Sequence, residues 1–337
     1  MLRHISNPPN PWRSSEVEWL GPPPVSELHV YEENARSILS ENESPDVGFR
    51  WSVNPYRGCQ HACSYCYARP YHQYIDFGAG TDFDTRIVVK TNAPELLDRA
   101  LAKKSWLGEP IAFSGITDCY QPLEANYRLT RRCMEVCLRW ANPAGIVTKS
   151  LLVRRDAELL AELNRIAPVK VFISIAFGLA ELARLMDPGA PSPERRIETI
   201  GILADAGVPV GVAFAPVIPG LNDDQIPDVL GRARRAGARW SFITPIRLSR
   251  EVLPVFTERI QALLPEARVR KILSAIRAIR GGRLNDPAFG SRMEGQGERW
   301  KVIEDLFETT CRRLGLNAET TNDITCRHPR PVQGSFF

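Results

Sequence analysis

The sequence predicts an α/β fold, a partial (βα)6 barrel of parallel strands with a helical C-terminal extension. Between about Arg50 and Leu248, short β-branched or apolar runs alternate with amphipathic helical stretches. This alternation is typical of parallel strands joined by crossover helices. From Arg250 onward the pattern is helical. Apolar residues make up 44% and charged residues 24% of the 337 positions, an ordinary globular composition that supports a packed core.

The elements follow one another in a regular order along the chain. Six short apolar runs predict strands at Trp51 to Tyr56, Pro110 to Ser114, Gly145 to Thr148, Val169 to Ile175, Pro209 to Ala215 and Trp240 to Thr244. Amphipathic stretches predict helices at Ser64 to Ile75, Ala93 to Lys104, Asn126 to Trp140, Asp156 to Ile166, Pro193 to Ala206 and Asp223 to Ala236. Helix-start signals precede the last two of these helices, at Ser192 and Asn222. Chemistry in parallel α/β folds collects where the strands end, so the loops after the strands are the candidate sites.

Three segments are expected along the chain. Residues 1–45 contain Pro-Pro and Gly-Pro-Pro-Pro breaks and little periodicity, which predicts an extended or partly disordered N-terminal arm. Residues 46–250 form the core domain. Residues 251–337 form a helical extension and tail, with helices at Pro265 to Arg280 and Gly297 to Leu314 on either side of a glycine-rich loop.

Location and partners are constrained by the N-terminus and by the apolar runs. The N-terminal residues are polar and rich in proline, unlike a secretory signal, and the apolar runs are shorter than the roughly 18 residues of a membrane span. We therefore expect a cytoplasmic protein with no membrane partner. In a reducing compartment, clustered cysteines are more typical of metal ligands than of disulfides. The net charge of +4 permits a nucleic-acid partner without requiring one.

Three of the eight cysteines form a CxxxCxxC motif, with Cys59, Cys63 and Cys66 after the first predicted strand. Each thiolate can bind one iron of a [4Fe-4S] cluster, so that the fourth iron receives no ligand from this loop. S-adenosylmethionine (SAM) can chelate such an iron through its amino and carboxylate groups. An electron from the cluster would then break a carbon–sulfur bond, while the protein supplies position and excludes water.

Zinc is the competing metal, because His61 or a distant cysteine can be considered as a fourth ligand. His61 lies two residues from each flanking cysteine, which is awkward for joint tetrahedral binding, and zinc sites usually bring cysteines as separated pairs. Core packing alone does not readily explain three cysteines within eight residues. A non-catalytic zinc-binding interaction protein is the alternative from another functional class.

The segment NPYRGCQHACSYCYARP, at residues 54–70, resembles the radical SAM superfamily and is similar to the branch related to spore photoproduct lyase. The resemblance covers roughly residues 48–250. It implies a [4Fe-4S] cluster and SAM as cofactors, and an external one-electron reductant of flavodoxin or ferredoxin type. It also implies cleavage of SAM to a 5′-deoxyadenosyl radical that abstracts hydrogen. The implied substrate is a nucleic acid, as for a photoproduct lyase, with a peptide or small metabolite as the alternative.

The resemblance implies cofactor contacts for three residues near strand ends. Tyr65 is expected near the adenine, Lys149 at the carboxylate and Ser174 at the ribose. A lysine ammonium suits this place because it is a compact cation beside an anion. Core packing is the alternative for Tyr65, and satisfaction by the backbone alone is the alternative for the serine.

Two loop segments complete the implied cofactor site. Ser114, Gly115, Thr117 and Asp118 follow the second strand, where related enzymes bind the methionine amino group, and glycine permits close backbone approach. A plain turn is the alternative explanation for this segment. The segment Ala215 to Asp223 is expected to bring backbone toward the adenine.

The resemblance also bears on hydrogen transfer. Photoproduct lyases use a cysteine hydrogen donor supported by tyrosines, and Tyr67 matches one of those tyrosines. Gly115 stands where the donor cysteine is expected, which argues against dimer-lyase activity. Cys119 is the candidate donor, with an ordinary loop cysteine as the alternative.

Two further groups of residues have simpler explanations. Cys133 and Cys137 share one helix face, where core packing is favoured over a second metal site. Basic residues gather beyond the sixth predicted strand, at Arg247 and Arg250, and around the glycine-rich loop, at Arg280, Arg283 and Arg292. They are suited to bind phosphate, although solvated helix faces or salt bridges are the more common explanation.

Overall fold

The main sheet of the computed structural model, which describes residues 27–318, contains a strand from each of the six predicted segments. In chain order, the strands of the molecule are β1 His29–Glu33, β2 Leu39–Glu41, β3 Trp51–Val53, β4 Tyr56–Arg57, β5 Arg86–Lys90, β6 Ile111–Phe113, β7 Ala144–Thr148, β8 Val169–Ser174, β9 Val210–Val217 and β10 Trp240–Pro245. The main sheet has the order β10-β9-β8-β7-β6-β3-β2. In this sheet β3, β6, β7, β8, β9 and β10 are parallel, and β2 is antiparallel to β3. The predicted fold class is confirmed, and β2 and β10 are the edges of an open sheet.

A second sheet, which the sequence pattern did not predict, has the order β1-β5-β4. Strand β1 lies in the predicted N-terminal arm and pairs in parallel with β5. Four of its five residues are exposed, so it lacks the alternating apolar pattern by which a half-buried strand is recognised. Residues 1–26 of the predicted arm and residues 319–337 of the predicted extension and tail lie outside the described residues.

The first predicted strand is in fact two short strands in different sheets. Pro55 lies between β3 and β4, and proline cannot donate a hydrogen bond to a sheet ladder. The cysteine loop therefore follows β4 of the second sheet and not the first strand of the main sheet. The predicted helix from Ser64 is also shorter, because residues 64–68 form turns and a 3₁₀ helix begins only at Arg69.

Helices cover the parallel strands and form the C-terminal extension. They are α1 Thr81–Thr85, α2 Ala93–Leu101, α3 Glu124–Tyr127, α4 Leu129–Arg139, α5 Ala157–Asn164, α6 Ala180–Met186, α7 Pro193–Asp205, α8 Ile226–Arg235, α9 Val252–Leu263, α10 Glu266–Ala278 and α11 Gly297–Leu314. Shorter 3₁₀ helices span Arg69–Ile75, Leu151–Asp156 and Asp223–Gln225. The predicted start of α7 is confirmed, since Ser192 accepts a hydrogen bond from the backbone of Arg195. Within residues 27–318 no helix is long and apolar enough to cross a bilayer.

The apolar interior has two main parts. The larger core lies between the parallel strands and the helices α2, α4, α5, α7 and α8, and it contains Cys133 and Cys137 on the buried face of α4. A second cluster joins Cys63 and Tyr65 to Phe177, Ile218 and residues of α9 and α10. The cysteine loop is therefore packed against the carboxyl ends of the strands.

Candidate active site

The cysteine loop is an irregular turn whose thiols are largely withdrawn from solvent. Cys59 and Cys63 are each 7% exposed, and Cys66 is half-buried. The loop is entered through Gly58 with φ of 78°, a left-handed conformation that suits glycine. A Cβ at that position would lie 2.9 Å from Ile87 Cδ1. Burial raises the pKa of all three thiols, and each thiol lies within electrostatic reach of the others.

Arg69 fixes this loop from the interior. Its fully buried guanidinium donates two hydrogen bonds to the carbonyl oxygen of Cys63, at 2.8 and 3.1 Å. It also donates to the carbonyls of Ala79 and Gly80 and forms an ion pair of 2.9 Å with Asp84. Because a buried charge without its partner is costly, Arg69 and Asp84 together hold one conformation of the loop.

His61 is engaged by protein groups on both ring nitrogens. Its Nε2 lies 3.1 Å from Asp118 Oδ2, and its Nδ1 lies 3.2 Å from the carbonyl oxygen of Gly189. The loop approaches this glycine so closely that a Cβ there would lie 1.9 Å from the Gln60 carbonyl. His61 thus lies between Asp118 and the Gly189 carbonyl, a placement that favours a structural role over the zinc-ligand alternative. Among residues 27–318, no three Cys, His, Asp or Glu side chains are grouped so that they can hold one metal ion.

Asp118 connects the cysteine loop to the end of β7. Its Oδ2 accepts a hydrogen bond from the Lys149 amide at 2.8 Å, and its Oδ1 accepts one from the Thr148 hydroxyl at 2.7 Å. Burial raises the pKa of this carboxyl, but His61 and the donated hydrogen bonds outweigh it and hold the pKa below its ordinary value. Since its oxygens are taken by protein donors, Asp118 positions His61 and Lys149, and its predicted contact with the cofactor stays a prediction.

Three predicted cofactor residues meet beside the cysteine loop. The Lys149 ammonium donates a hydrogen bond of 2.9 Å to Ser174 Oγ and lies 5.5 Å from the centroid of the Tyr65 ring. They meet because β7 and β8 are neighbouring parallel strands that end together. Burial raises the pKa of the Cys63 and Cys66 thiols, and the charge of Lys149 opposes this effect in both. A cation therefore faces the cysteine loop.

Asp187, which sequence reasoning missed, completes what we call the lysine pocket, formed by Tyr65, Lys149, Ser174 and Asp187. Its Oδ2 lies 3.9 Å from Lys149 Nζ and 3.4 Å from the guanidinium of buried Arg196. Its Oδ1 and the Tyr65 hydroxyl are buried without a hydrogen bond of ordinary geometry among the described residues, and the two groups lie close enough for Asp187 to raise the pKa of the Tyr65 hydroxyl. The signal was absent from the sequence because Asp187 follows α6 and not a strand. Unsatisfied buried polar atoms of this kind are uncommon and indicate a place for a polar ligand.

The hydroxyl groups of the segment after β6 form hydrogen bonds within the protein. Ser114, with φ of 79°, accepts a hydrogen bond of 2.9 Å from the Cys119 amide. The Thr117 hydroxyl donates to the Tyr56 carbonyl at 2.9 Å. These contacts explain the turn, and the predicted contacts of Ser114, Gly115 and Thr117 with the cofactor stay predictions.

The two candidates for hydrogen transfer lie in different environments. Cys119 is fully buried in the larger core. Tyr67 is 44% exposed, follows Cys66 directly, and donates a hydrogen bond of 2.8 Å to the Gly115 carbonyl. Tyr67 is therefore the member of this pair that a substrate can contact without rearrangement of the core.

The turn after β9 is held by Asn222, which the sequence indicated only as a helix start. Its amide donates to the carbonyls of Ala176 and Pro216, at 2.7 and 3.0 Å, and its Oδ1 accepts from the Ile218 amide. Asn222 precedes a 3₁₀ helix, as expected, but its side chain does not cap it. The approach of this turn to the adenine stays a prediction.

Comparison with known proteins decides the family. The family model of the radical SAM superfamily matches residues 53–233, which is more than half of the chain. The chain belongs to the radical SAM superfamily. The cofactors of this superfamily are a [4Fe-4S] cluster and SAM. Radical SAM enzymes draw their electron from an external donor.

Curated relatives come from distant organisms. An uncharacterised protein of Mycobacterium tuberculosis is 43% identical over 192 residues, which cover 56% of each chain. One from Methanocaldococcus jannaschii is 30% identical over 198 residues, covering 59% of this chain and 71% of the relative. The chain spans about half the length of the mycobacterial relatives it matches.

Solved structures of spore photoproduct lyase share the fold of this radical SAM protein. The complex with dinucleoside spore photoproduct has a TM-score of 0.60 at 14% identity, over 89% of this chain and 86% of the lyase. A variant with bound AdoMet and the same dinucleoside has a TM-score of 0.59 at 14% identity, with the same coverage. At this identity the likeness establishes the fold and not the substrate.

Proposed function

We propose that Cys59, Cys63 and Cys66 hold the [4Fe-4S] cluster and that SAM binds in the lysine pocket beside it. When bound, this pair supplies the chemistry of the superfamily, reductive cleavage of SAM to a 5′-deoxyadenosyl radical that abstracts hydrogen from the substrate. The electron donor is an external one-electron reductant of flavodoxin or ferredoxin type. The observation that carries the proposal is the meeting of Lys149, Ser174 and Tyr65 next to the cysteine loop.

The cysteine loop fits a cluster better than a single ion. A cubane cluster takes each thiolate on a separate iron, so its ligands need not converge on one point. Burial disfavours bare thiolates, and a bound metal ion supplies the positive charge that stabilises them. The Lys149 ammonium adds a second positive charge on the open side of the loop.

The lysine pocket fits the polar end of SAM. Lys149 holds its ammonium 3.9 Å from Asp187, beyond close hydrogen-bond distance, and so retains capacity for a second anion such as a carboxylate. The buried Asp187 Oδ1 is an acceptor for an ammonium or hydroxyl group, and the Tyr65 hydroxyl beside it is a donor. The pocket therefore offers a zwitterionic ligand both a positive group, Lys149, and a negative group, Asp187. Its burial excludes water from the reacting atoms.

For the substrate we propose a nucleic acid. The support is that the chain shares its fold with spore photoproduct lyase, whose structure has been solved with a dinucleoside photoproduct bound. This support comes from the fold alone. Dimer reversal itself is not favoured, because Gly115 stands at the expected donor position and Cys119 is sealed in the core. Tyr67, exposed and adjacent to Cys66, is the residue we assign to contact the substrate during hydrogen transfer.

Reconstitution under anaerobic conditions tests the cofactor part of this proposal. With ferrous iron and sulfide the protein is expected to turn brown, absorb broadly near 400 nm and bind about four irons and four sulfides. Addition of dithionite and SAM should then release 5′-deoxyadenosine. Colourless protein carrying one zinc ion would contradict the proposal.

Thymine-dimer DNA, undamaged oligonucleotides and peptides should be compared as stimulants of SAM cleavage. Stimulation by nucleic acid alone supports the proposed substrate class. Stimulation by peptide alone would replace it with the alternative class.

A further inference from the structure

Exposed aromatic side chains are concentrated beside the cysteine loop. Five aromatic side chains among residues 27–318 are exposed, and three of them, Tyr67, Tyr71 and Tyr74, lie within eight residues of Cys66, at 44%, 46% and 71% exposure. Phe289, in the glycine-rich loop, is 65% exposed. Exposed apolar surface gathered in one place typically marks a binding site.

Two arginines stack on this aromatic surface. The Arg247 guanidinium lies 5.6 Å from the centroid of the Tyr67 ring, and that of Arg292 lies 4.2 Å from the centroid of Phe289. Arg247 also lies within electrostatic reach of Tyr71 and Arg292, so the two stacked pairs belong to one region. We call this region the aromatic–arginine surface, formed by Tyr67, Tyr71, Tyr74, Arg247, Phe289 and Arg292.

The basic residues predicted to bind phosphate differ in what remains available to a ligand. Arg280 is committed to the fold, because it donates to the carbonyls of Pro245, Ile246, Arg292 and Glu294. Arg292 is paired with Asp46 at 2.5 Å.

Arg247 is the arginine of this surface that lacks a counter-ion. No carboxylate within residues 27–318 lies at ion-pair distance from it. Asp46 acts on it only from a greater distance, and its guanidinium contacts Met293 Sδ at 3.6 Å. Burial, followed by the neighbouring charge of Arg292, lowers the pKa of Arg247. A phosphate at this place would supply the missing negative charge and relieve the repulsion between the two guanidinium groups.

We propose that the aromatic–arginine surface binds a single-stranded segment of nucleic acid and delivers one nucleotide to the cysteine loop. Unpaired bases stack on Tyr71, Tyr74 and Phe289, and a backbone phosphate binds Arg247. Stacking requires the free faces of unpaired bases, and the combination of aromatic platforms with arginine is typical of single-strand binding. This inference rests on the proposed function and narrows its substrate from nucleic acids to unpaired ones.

The test is anaerobic fluorescence anisotropy with the reconstituted full chain and a labelled oligonucleotide of about twelve nucleotides. The competitors are a duplex of the same sequence and an acidic peptide. The single strand is expected to bind more tightly than either. The Tyr71→Ala/Tyr74→Ala double variant should bind roughly tenfold more weakly or worse, because at least one stacked base is lost.

Salt dependence isolates the phosphate contact. Arg247→Ala should reduce the slope of log affinity against log salt by about 0.7, the value for one phosphate on a single strand. Arg139→Ala is the matched control, since Arg139 is exposed and ends α4, at the opposite end of the strands. It should leave both affinity and slope unchanged, and unfolding temperatures of all variants confirm that the fold is retained.

Equal binding of duplex and single strand, preference for the acidic peptide, or undiminished binding by the double variant would overturn the inference. Release of 5′-deoxyadenosine in the absence of nucleic acid is measured in parallel. Its failure would contradict the proposed function. If SAM cleavage succeeds and the single strand does not bind, the inference alone is wrong.

Discussion

The cysteine loop and the aromatic–arginine surface meet where Tyr67 directly follows Cys66, yet they are built in opposite ways. Buried polar contacts hold the loop, with Arg69 on its inner side and His61 against Asp118 on the other. The surface begins one residue after Cys66 and leaves large rings in solvent. The difference suggests that fixed geometry serves the cofactor, whereas exposed stacking area serves the substrate. Substitutions in the two regions therefore either separate cofactor binding from substrate binding or show that the regions act as one.

The largest effect is expected from the cysteines. Replacing Cys59, Cys63 or Cys66 singly with alanine should abolish dithionite-dependent formation of 5′-deoxyadenosine, because one iron loses its ligand. The matched control is Cys133→Ala, a buried cysteine of α4 outside the loop, which should keep the cluster. The readouts are bound iron and product by chromatography. Full activity in any of the three variants would show that the assigned ligand is wrong.

Arg69→Ala should destabilise the metal-free protein by about 3–5 kcal/mol, because Asp84 is left as an unpaired buried charge. Chemical denaturation measures this change. Arg139→Ala removes an exposed pair with Asp98 and should cost less than about 1 kcal/mol. Similar losses in both variants would mean that the loop is not held by its buried contacts.

Lys149→Ala is expected to weaken SAM binding by about tenfold to a hundredfold, since it removes a hydrogen bond to a charged group. Equilibrium binding to the reconstituted enzyme measures this effect. Iron content should stay at the wild-type level, because Lys149 is not a cluster ligand. Unchanged SAM affinity would show that SAM does not bind in the lysine pocket.

The smallest expected effect is on the pH dependence of folding stability, through His72 on the inner side of the loop. Burial lowers the pKa of His72 to about 4, below its unfolded value, so the folded state binds this proton less readily. His72 therefore contributes stability at neutral pH that is lost as pH falls from about 6.5 toward 4. Between pH 7 and pH 5 the loss should be roughly 2 kcal/mol.

The comparison with His72→Phe isolates this contribution. Burial raises the pKa of Asp84 to about 6, which acts in the opposite direction over part of the same range. The difference between wild type and His72→Phe cancels that second effect. An equal pH slope in both proteins would contradict the assignment to His72.

The sequence predicted the parts of the molecule whose signals are local. The six parallel strands are short apolar runs, and the cysteines lie within eight residues of one another. The strand β1 escaped prediction because it is exposed, and the first predicted strand was divided at Pro55, between two sheets. Such features depend on tertiary partners and not on periodicity.

In the candidate site too, the sequence revealed only residues that can be recognised from their own short segments. Tyr65, Lys149 and Ser174 were found by resemblance, and the fold brings them together. Asp187 was missed because its approach to Lys149 joins residues far apart in the chain. The aromatic–arginine surface likewise combines the segment after Cys66 with Arg247 and Phe289, a meeting that no spacing in the sequence reveals.

Electron–nuclear double resonance of the reduced cluster with isotopically labelled SAM tests the central claim most directly. If three thiolates leave one iron open beside the lysine pocket, the amino nitrogen and a carboxylate oxygen of SAM should both couple to the cluster. The coupling should disappear when SAM is omitted. A reduced cluster that shows no coupling to bound, labelled SAM would contradict the account.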